Sequence, residues 1–425
     1  GTYFLVRKEP QCYNLSDFVT VQLPAFINRK GIVFTMFQCQ RGYTLRKIKG
    51  VSHLLPYGQQ MADQKKGMIL NETGTFLWNV IQHTEGSDPE TLAEMLARLY
   101  GLGEEAFPEV LNDVNDFLSQ MTALGMITES LKPISHACTA SMKIAGLSIN
   151  FYGPVQLLGD RFADFYVNHP ADEPDQEIEF ITRSPASHNY GQVLLRNSDM
   201  TIFENSDRYV VLFPQMSNIH EVHMTLDGSY VRFYCSNAVT DQTTENLFHA
   251  LRLFFLFLAQ QNGLFAIHSA SILYREKAWL FSGHSGMGKS THTGLWHQLL
   301  GTPFLNGDLN LLGIHENRIM VYGIPWCGTS GIYTTKNYEL GGIVLLGRNP
   351  TRDYLEELSP SDQILRVMQR MISPAWKEGQ LTKNLFFAEE IADRVPILHL
   401  FCTKNQSAVK VIREEIDRLE VLHEK

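Results

Sequence analysis

No apolar run in the 425 residues approaches the length needed to cross a bilayer. The strongest, Leu253–Ala259, is far short of the roughly 20 residues of a spanning helix, so no membrane role is expected. Basic residues are outnumbered: 36 Lys and Arg stand against 45 Asp and Glu, giving a net charge of −9. Without a cationic excess there is no long-range attraction toward nucleic acid or anionic lipid, and neither is expected as a partner. Cysteine is scarce, with thiols at positions 12, 39, 138, 235, 327 and 402. No two form a CxxC or CxxxC pair, which removes the usual zinc and redox spacings, and reduced thiols in the cytoplasm are the expectation. No charged segment followed by an apolar stretch opens the sequence, so a signal peptide is not expected. Repeats and low-complexity tracts are also missing.

What is present is a globular composition, 44% hydrophobic and 19% charged, in a chain long enough for two or three domains. Residues 1–42 carry apolar runs such as Ile32–Phe37 and are expected to form strands or a hairpin extension. In 43–128, Tyr43–Lys49, Val51–Pro56 and Lys66–Leu70 read as strands, and three amphipathic helices follow. The first is capped by Asn71 and turns Phe76, Leu77, Val80 and Ile81 inward. The second starts at Ser87-Asp88-Pro89-Glu90, a capping box with an early proline, and buries Leu92, Met95, Leu96 and Leu99. The third runs from about Glu105 to Leu124 with Val110, Val114, Phe117, Leu118 and Met121 inward, and Gly125 stops it. Three strands with three helices predict a small winged-helix-like domain.

Residues 129–142 read as a linker. The stretch 143–262 opens as a β-rich region, with Tyr209–Phe213, His220–Thr225 and Tyr230–Tyr234 as strands. It closes on one long helix, Glu245–Gln261, ended near Gly263. Residues 263–425 form the last domain, and the chemistry lies there. Ala278–Phe281 reads as a buried strand, Gly283–Ser290 matches GxxxxGKS in full, and Thr291–Leu300 reads as a helix with Leu295, Trp296, Leu299 and Leu300 inward. In such a P-loop the glycines let successive N–H groups curl toward phosphate oxygens, and the helix N-terminus adds its positive end. Gly283, Ser285, Gly286, Met287, Gly288, Lys289, Ser290 and Thr291 are the candidate nucleotide contacts. Lys289 reaches the outer phosphates and the Ser290 hydroxyl is a magnesium ligand. ATP, or another nucleoside triphosphate, with Mg²⁺ is the expected ligand pair.

Pro303–Asp308 reads as a second strand ending in an acid, a near neighbour in a parallel sheet. At that strand end Asp308 is a candidate metal ligand or proton acceptor. His268, in Ala266–Ser271, is a candidate third active-site group because imidazole titrates near neutrality. Tyr322–Ser330, rich in Pro, Gly and small hydroxyl residues, predicts a tight loop near the site, with Cys327 as a buried inert thiol. Arg348 and Arg352 are expected on a solvated face. No NKxD motif is present, and Asp308–Leu311 gives no DxxG switch, which sets a regulatory GTPase aside.

Residues 266–350 resemble the HPr kinase/phosphorylase and phosphoenolpyruvate-carboxykinase-like P-loop proteins. The resemblance rests on His268-Ser269-Ala270-Ser271, Gly283–Ser290, Asp308 and Pro325–Ser330. It implies a compact mixed sheet and phosphoryl transfer to a hydroxyl, often of serine, and relatives that often assemble leave a homo-oligomer open. One departure stands out: that family usually carries two adjacent aspartates, and here Gly307 precedes Asp308. Residues 43–128 resemble the PqqD-like family on their three strands, Leu70–Gly74 with Trp78, Asp113–Phe117 and Leu124–Ile127. That resemblance implies capture of a leader segment of a ribosomally made peptide, added as a strand to a sheet edge.

The fold class expected is therefore α+β multidomain: a winged-helix-like PqqD-type domain, a β-rich middle region and an α/β P-loop domain of HPr kinase type. The function expected is an ATP-dependent kinase acting on a side-chain hydroxyl of a precursor peptide. A small-molecule (amino acid) kinase and a nucleotide-binding carrier or sensor without transfer are the alternatives.

Overall fold

A computed structural model describes residues 36–84, 87–131, 137–185, 188 and 190–423. Most of the expected 1–42 extension lies outside them. The described chain divides into two compact units, one from residues up to 137 with 179–237 and the other from 138–178 with 238–425.

The first unit opens on a three-stranded antiparallel sheet. Tyr43–Ile48 pairs with Val51–Pro56 through a two-residue turn, and Met68–Leu70 adds to the far side. Lys49 (φ 48°) and Gly50 (φ 85°) give that turn two left-handed residues. This is the primed geometry whose twist matches a hairpin. Three helices follow, Glu72–His83, Pro89–Leu99 and Phe107–Ala123. The Asn71 side chain caps the first by accepting from the Gly74 N–H. At the second, the cap is Asp88 rather than Ser87, its carboxylate accepting from the backbone and hydroxyl of Thr91. The apolar faces meet in one core around Trp78, Leu92, Leu96, Val114, Phe117 and Met121. Where a linker is expected from 129, Ile127–Glu129 is a strand paired with Phe37–Cys39.

Later in the same unit, Gln192–Arg196, Thr201–Glu204, Arg208–Leu212, Ile219–Thr225 and Tyr230–Cys235 form an antiparallel meander. Two fully buried arginines tie it to the helical part. Arg208 donates to the Glu129 carbonyl and Arg232 to the Ser130 carbonyl, both at 2.7 Å. Arg232 also meets Glu179 at 2.6 Å, so its buried charge is paired.

In the second unit a hairpin, Ala140–Ile144 with Leu147–Tyr152, precedes the long helix Asp241–Gln261. That helix starts at Asp241, four residues before the expected Glu245, behind the N-cap Thr240, where a Thr240–Thr243 capping box forms. The sheet beyond it is mixed. Leu264–Tyr274 pairs antiparallel with both Lys277–Ser282 and Leu309–His315. Arg318–Tyr322 continues from Leu309–His315 to Tyr338–Arg348. Because Tyr338–Arg348 also runs parallel to Lys277–Ser282, these five strands close on themselves. Ile397–Cys402 extends the sheet in parallel, and Tyr354–Glu356 ends it.

Candidate functional site

The strand Leu264–Tyr274 organises the site. Across one ladder its Ser269 faces Ser282, and across the other its His268 faces Leu309. The glycine-rich loop thus leaves the sheet just after Ser282, and Asp308 enters it just before Leu309. Two strand spacings, roughly 10 Å, separate those backbones. Within that arrangement the Nε2 of His268 lies 3.0 Å from Oδ1 of Asp308.

The direction of approach differs from the sequence expectation. Pro303–Asp308 is not a strand of a parallel pair. It runs beside 271–273 through a few bonds, such as Leu305 N–H to the Ser271 carbonyl. Asp308 then precedes the antiparallel strand Leu309–His315 instead of ending a strand. Strand direction is a non-local property, and an apolar run closed by an acid carries no sign of it.

A buried polar network holds this turn. The Asn310 amide donates to the Ser269 carbonyl at 2.7 Å and its oxygen accepts from the Ser271 hydroxyl at 2.7 Å. The Asn306 amide donates to the same oxygen at 3.2 Å, and the Ser271 hydroxyl oxygen accepts from the Asn306 backbone at 3.0 Å. With every member bonded, the network fixes residues 306–310 against the central strand. Sequence reading does not single out Asn306 or Asn310. Their signal is two buried amides spaced four apart, opposite the serines of His268–Ser271.

The loop itself has the expected form. Gly286 (φ 74°) and Gly288 (φ 106°) take left-handed backbone that other residues adopt only with strain. The helix begins at Lys289, two residues earlier than expected. Its buried face is Lys289, His292, Thr293 and Trp296, and Leu299 is exposed. Apolar periodicity misses this face because three of its four positions are polar. Lys289 donates to the Gly283 carbonyl at 3.3 Å, curled back into the loop. Ser285, Ser290 and Thr291 are exposed, Met287 and Gly288 half-buried and Gly283 buried. The Ser290 hydroxyl has no partner among the described residues.

Electrostatics favour an ionised acid here. The hydrogen bond from His268 lowers the Asp308 pKa against the opposing effect of burial. The charges of His268, Lys289 and Arg252 lower it further. Burial lowers the Lys289 pKa, Asp308 opposes that, and Arg370 adds to it. Arg370 lies against the P-loop His284, with guanidinium nitrogens 3.0 Å from each ring nitrogen. Arg348, expected on a solvated face, donates to the Gly286 carbonyl. Arg352 lies over the Tyr354 ring at 4.8 Å. Arg252 and Arg370 escape sequence reading, being isolated arginines outside any motif. Curled amides, a lysine, a free hydroxyl and an ionised carboxylate are a donor set that fits a polyphosphate with a hard cation.

The Tyr322–Ser330 loop does reach the acid. Gly328 (φ 62°) packs so closely that an added Cβ would lie 2.8 Å from the Asp308 Cβ. Gly328 and buried Cys327, whose thiol pKa burial raises, also line a cavity of about 590 Å³. Its other walls include Asp160, Arg161, Asp241 and Tyr333.

In the first unit, His188, Glu221 and His223 bring three ligand-type atoms within 4.8 Å of one another. Arg208 faces Nδ1 of His223 at 3.3 Å, which makes that nitrogen the acceptor and puts the ring proton on Nε2, toward Glu221. His188 and Tyr190 also bond to Glu221, so donors surround this carboxylate.

Residues 61–127 match the family described as coenzyme PQQ synthesis protein D (PqqD). No curated protein matches the chain. A solved structure described as the Hpr(Ser) kinase/phosphatase from Coxiella burnetii aligns at 11% identity over 37% of this chain and 96% of its own, with a TM-score of 0.23. No helix among the described residues is long and apolar enough to cross a membrane.

Proposed function

We propose that the chain is an ATP-dependent kinase that phosphorylates a side-chain hydroxyl, with serine as the leading acceptor, on a ribosomally made precursor peptide. The observation that carries this reading is the contact of His268 with Asp308 at 3.0 Å, one strand over from the glycine-rich loop and Lys289. In this reading 43–128 captures the leader and 263–425 performs the transfer.

The chemistry comes from the residues. The loop amides and Lys289 hold the triphosphate in line with the acceptor, and positioning supplies most of the rate in such transfers. Ser290 and Asp308 are the oxygen ligands for magnesium, which neutralises phosphate charge when bound. The acceptor oxygen forms a bond to the γ-phosphorus while the bond to the bridging β–γ oxygen breaks, and the acceptor proton passes to the His268–Asp308 pair. The acceptor approaches through the cavity behind Gly328. Leader capture uses the open edge of Tyr43–Ile48, which pairs on one side only among the described residues. A tethered leader raises the local concentration of the acceptor.

Incubation with ATP, magnesium and precursor peptide, followed by intact mass measurement, tests this. One added phosphoryl group, lost with Lys289→Ala, is the expected result, and an unchanged mass with every precursor tried rejects it. The second reading, a nucleotide-binding carrier or sensor, is favoured by one feature: Gly307, and not a second aspartate, stands beside Asp308. Binding without turnover in the same assay selects it.

A further inference from the structure

We propose that the nucleoside end of the phosphoryl donor occupies a second cavity, on the side of the glycine-rich loop away from Asp308. This rests on the reading of the loop as a triphosphate site. The cavity holds about 540 Å³, within the range of small-molecule sites, and its walls include Met287, Thr291, His292, Arg348, Thr403 and Asn405.

Sheet order gives the direction. Lys277–Ser282, Tyr338–Arg348 and Ile397–Cys402 are parallel neighbours whose carboxyl ends lie on one side of the sheet: Arg348 faces Cys402, and Ser282 stops opposite Leu345. Ligands of α/β sheets gather at such carboxyl ends. The cavity is built from the residues at and just past those ends: Met287 and Gly288 after the first, Arg348 and Asn349 at the second, Cys402 to Asn405 at the third. Asp308 is reached by crossing Leu264–Tyr274 in the opposite direction. A chain of phosphates lying along the loop therefore has its reacting end toward Asp308 and its other end toward this cavity. Arg348 joins the two, lining the cavity while donating to the Gly286 carbonyl.

A second observation points to a ligand independently. His292 is 2% exposed, and neither of its ring nitrogens has a hydrogen-bond partner among the described residues. Its ring stacks on Phe281 with centroids 5.7 Å apart, a contact with one apolar face that leaves its polar edge unused. A neutral imidazole carries one donor and one acceptor, and buried polar groups rarely stay unbonded. Asn405 adds a carboxamide with no partner among the described residues, able to donate and accept along a base edge. Met287, Pro350 and Cys402 supply apolar surface for the face of a ring. The cavity behind Gly328, on the Asp308 side, is left for the acceptor.

The test is calorimetric binding to the full chain with magnesium, comparing a non-hydrolysable ATP analogue, its GTP counterpart and inorganic tripolyphosphate. At least one nucleotide should bind roughly tenfold or more tightly than tripolyphosphate. Asn405→Trp, at an exposed position, should fill the cavity, abolish that advantage and leave tripolyphosphate binding unchanged. His292→Leu should weaken the nucleotide alone. Equal affinity of wild type for nucleotides and tripolyphosphate, or a neutral Asn405→Trp, overturns the assignment while leaving the loop reading intact. If no polyphosphate ligand binds, or Lys289→Ala weakens none, the loop reading fails and the assignment falls with it.

Discussion

Ser330 fills the space in which a side chain at position 307 would stand: a Cβ on Gly307 would lie 2.0 Å from the Ser330 Oγ. That hydroxyl is held in place, donating to the Cys327 carbonyl at 2.6 Å. Position 307 therefore has no room for a side chain beside the 327–331 turn. Gly307→Asp should fail to supply a second working acid and should destabilise the fold by about 1–3 kcal/mol, the usual cost of overpacking. Pairing it with Ser330→Gly should recover most of that loss, as read from denaturant midpoints of the two variants.

The His268–Asp308 contact predicts a shift in pH dependence. With the histidine bond present, the Asp308 pKa lies below its ordinary 3.8. The ionised form is then complete at neutral pH and lost only as pH falls through that lowered value. His268→Asn removes both the leading hydrogen bond and a positive charge, so the acid limb of a kcat/KM profile should move to higher pH. Asp308→Asn should instead lower kcat at all pH values, by roughly 10²–10⁴-fold if the acid takes the proton. An unmoved acid limb in His268→Asn would show that the contact does not tune the acid.

The legibility of this protein in its sequence depends on the range of the forces involved. The loop Gly283–Ser290 and the cap at Asn71 are local: glycine freedom and a side chain bonding three residues on are written in consecutive letters. The pairing of His268 with Asp308 spans forty residues, and only the sheet register brings the two together. Each is visible as a candidate by itself, but their contact is not. The antiparallel run of Leu309–His315 is hidden for the same reason. The buried face of the helix Lys289–Leu300 is misread at Leu299 because it is chosen by proximity to Phe281 and Tyr274, where Trp296 and His292 pack, and not by apolar content.

Removing the Asn310 side chain tests the polar network that holds Asp308. Asn310→Ala leaves the Ser271 hydroxyl and Asn306 amide short of partners in a buried site. Each orphaned group costs about 1–3 kcal/mol. A fall of that size in unfolding free energy should accompany a loss of turnover, because residues 306–310 are no longer fixed. Nucleotide affinity should change less than kcat, which separates misplacement of the acid from loss of the phosphate grip.

Acid should weaken the first unit in two stages. Burial lowers the His223 pKa to about 4. A folded-state value below the ordinary 6.5 means that the unfolded chain binds the extra proton, so stability is lost as pH falls from about 6.5 toward 4. Burial raises the Glu221 pKa, but bonds from His188, His223 and Tyr190 outweigh it and bring it to about 2. That contribution disappears from about 4.5 downward. Thermal unfolding between pH 8 and 4 should show the first stage, and His223→Gln should flatten it.

The leader-binding edge can be tested by removing one backbone donor. Ile48 faces Val51 across the two-residue turn, so the backbone groups of residues 44, 46 and 48 point into the hairpin. Alternation then turns those of 43, 45 and 47 outward, toward the open edge. Lys47 is exposed, and its N–H is an outward donor. Lys47→Pro removes that donor without breaking the hairpin ladder, because proline is tolerated on an edge strand. Peptide affinity should fall roughly tenfold, with Lys47→Ala nearly neutral and nucleotide binding unchanged in both. If Lys47→Ala weakened the peptide as much as Lys47→Pro, the side-chain charge would be the recognised feature, and strand addition at this edge would be rejected.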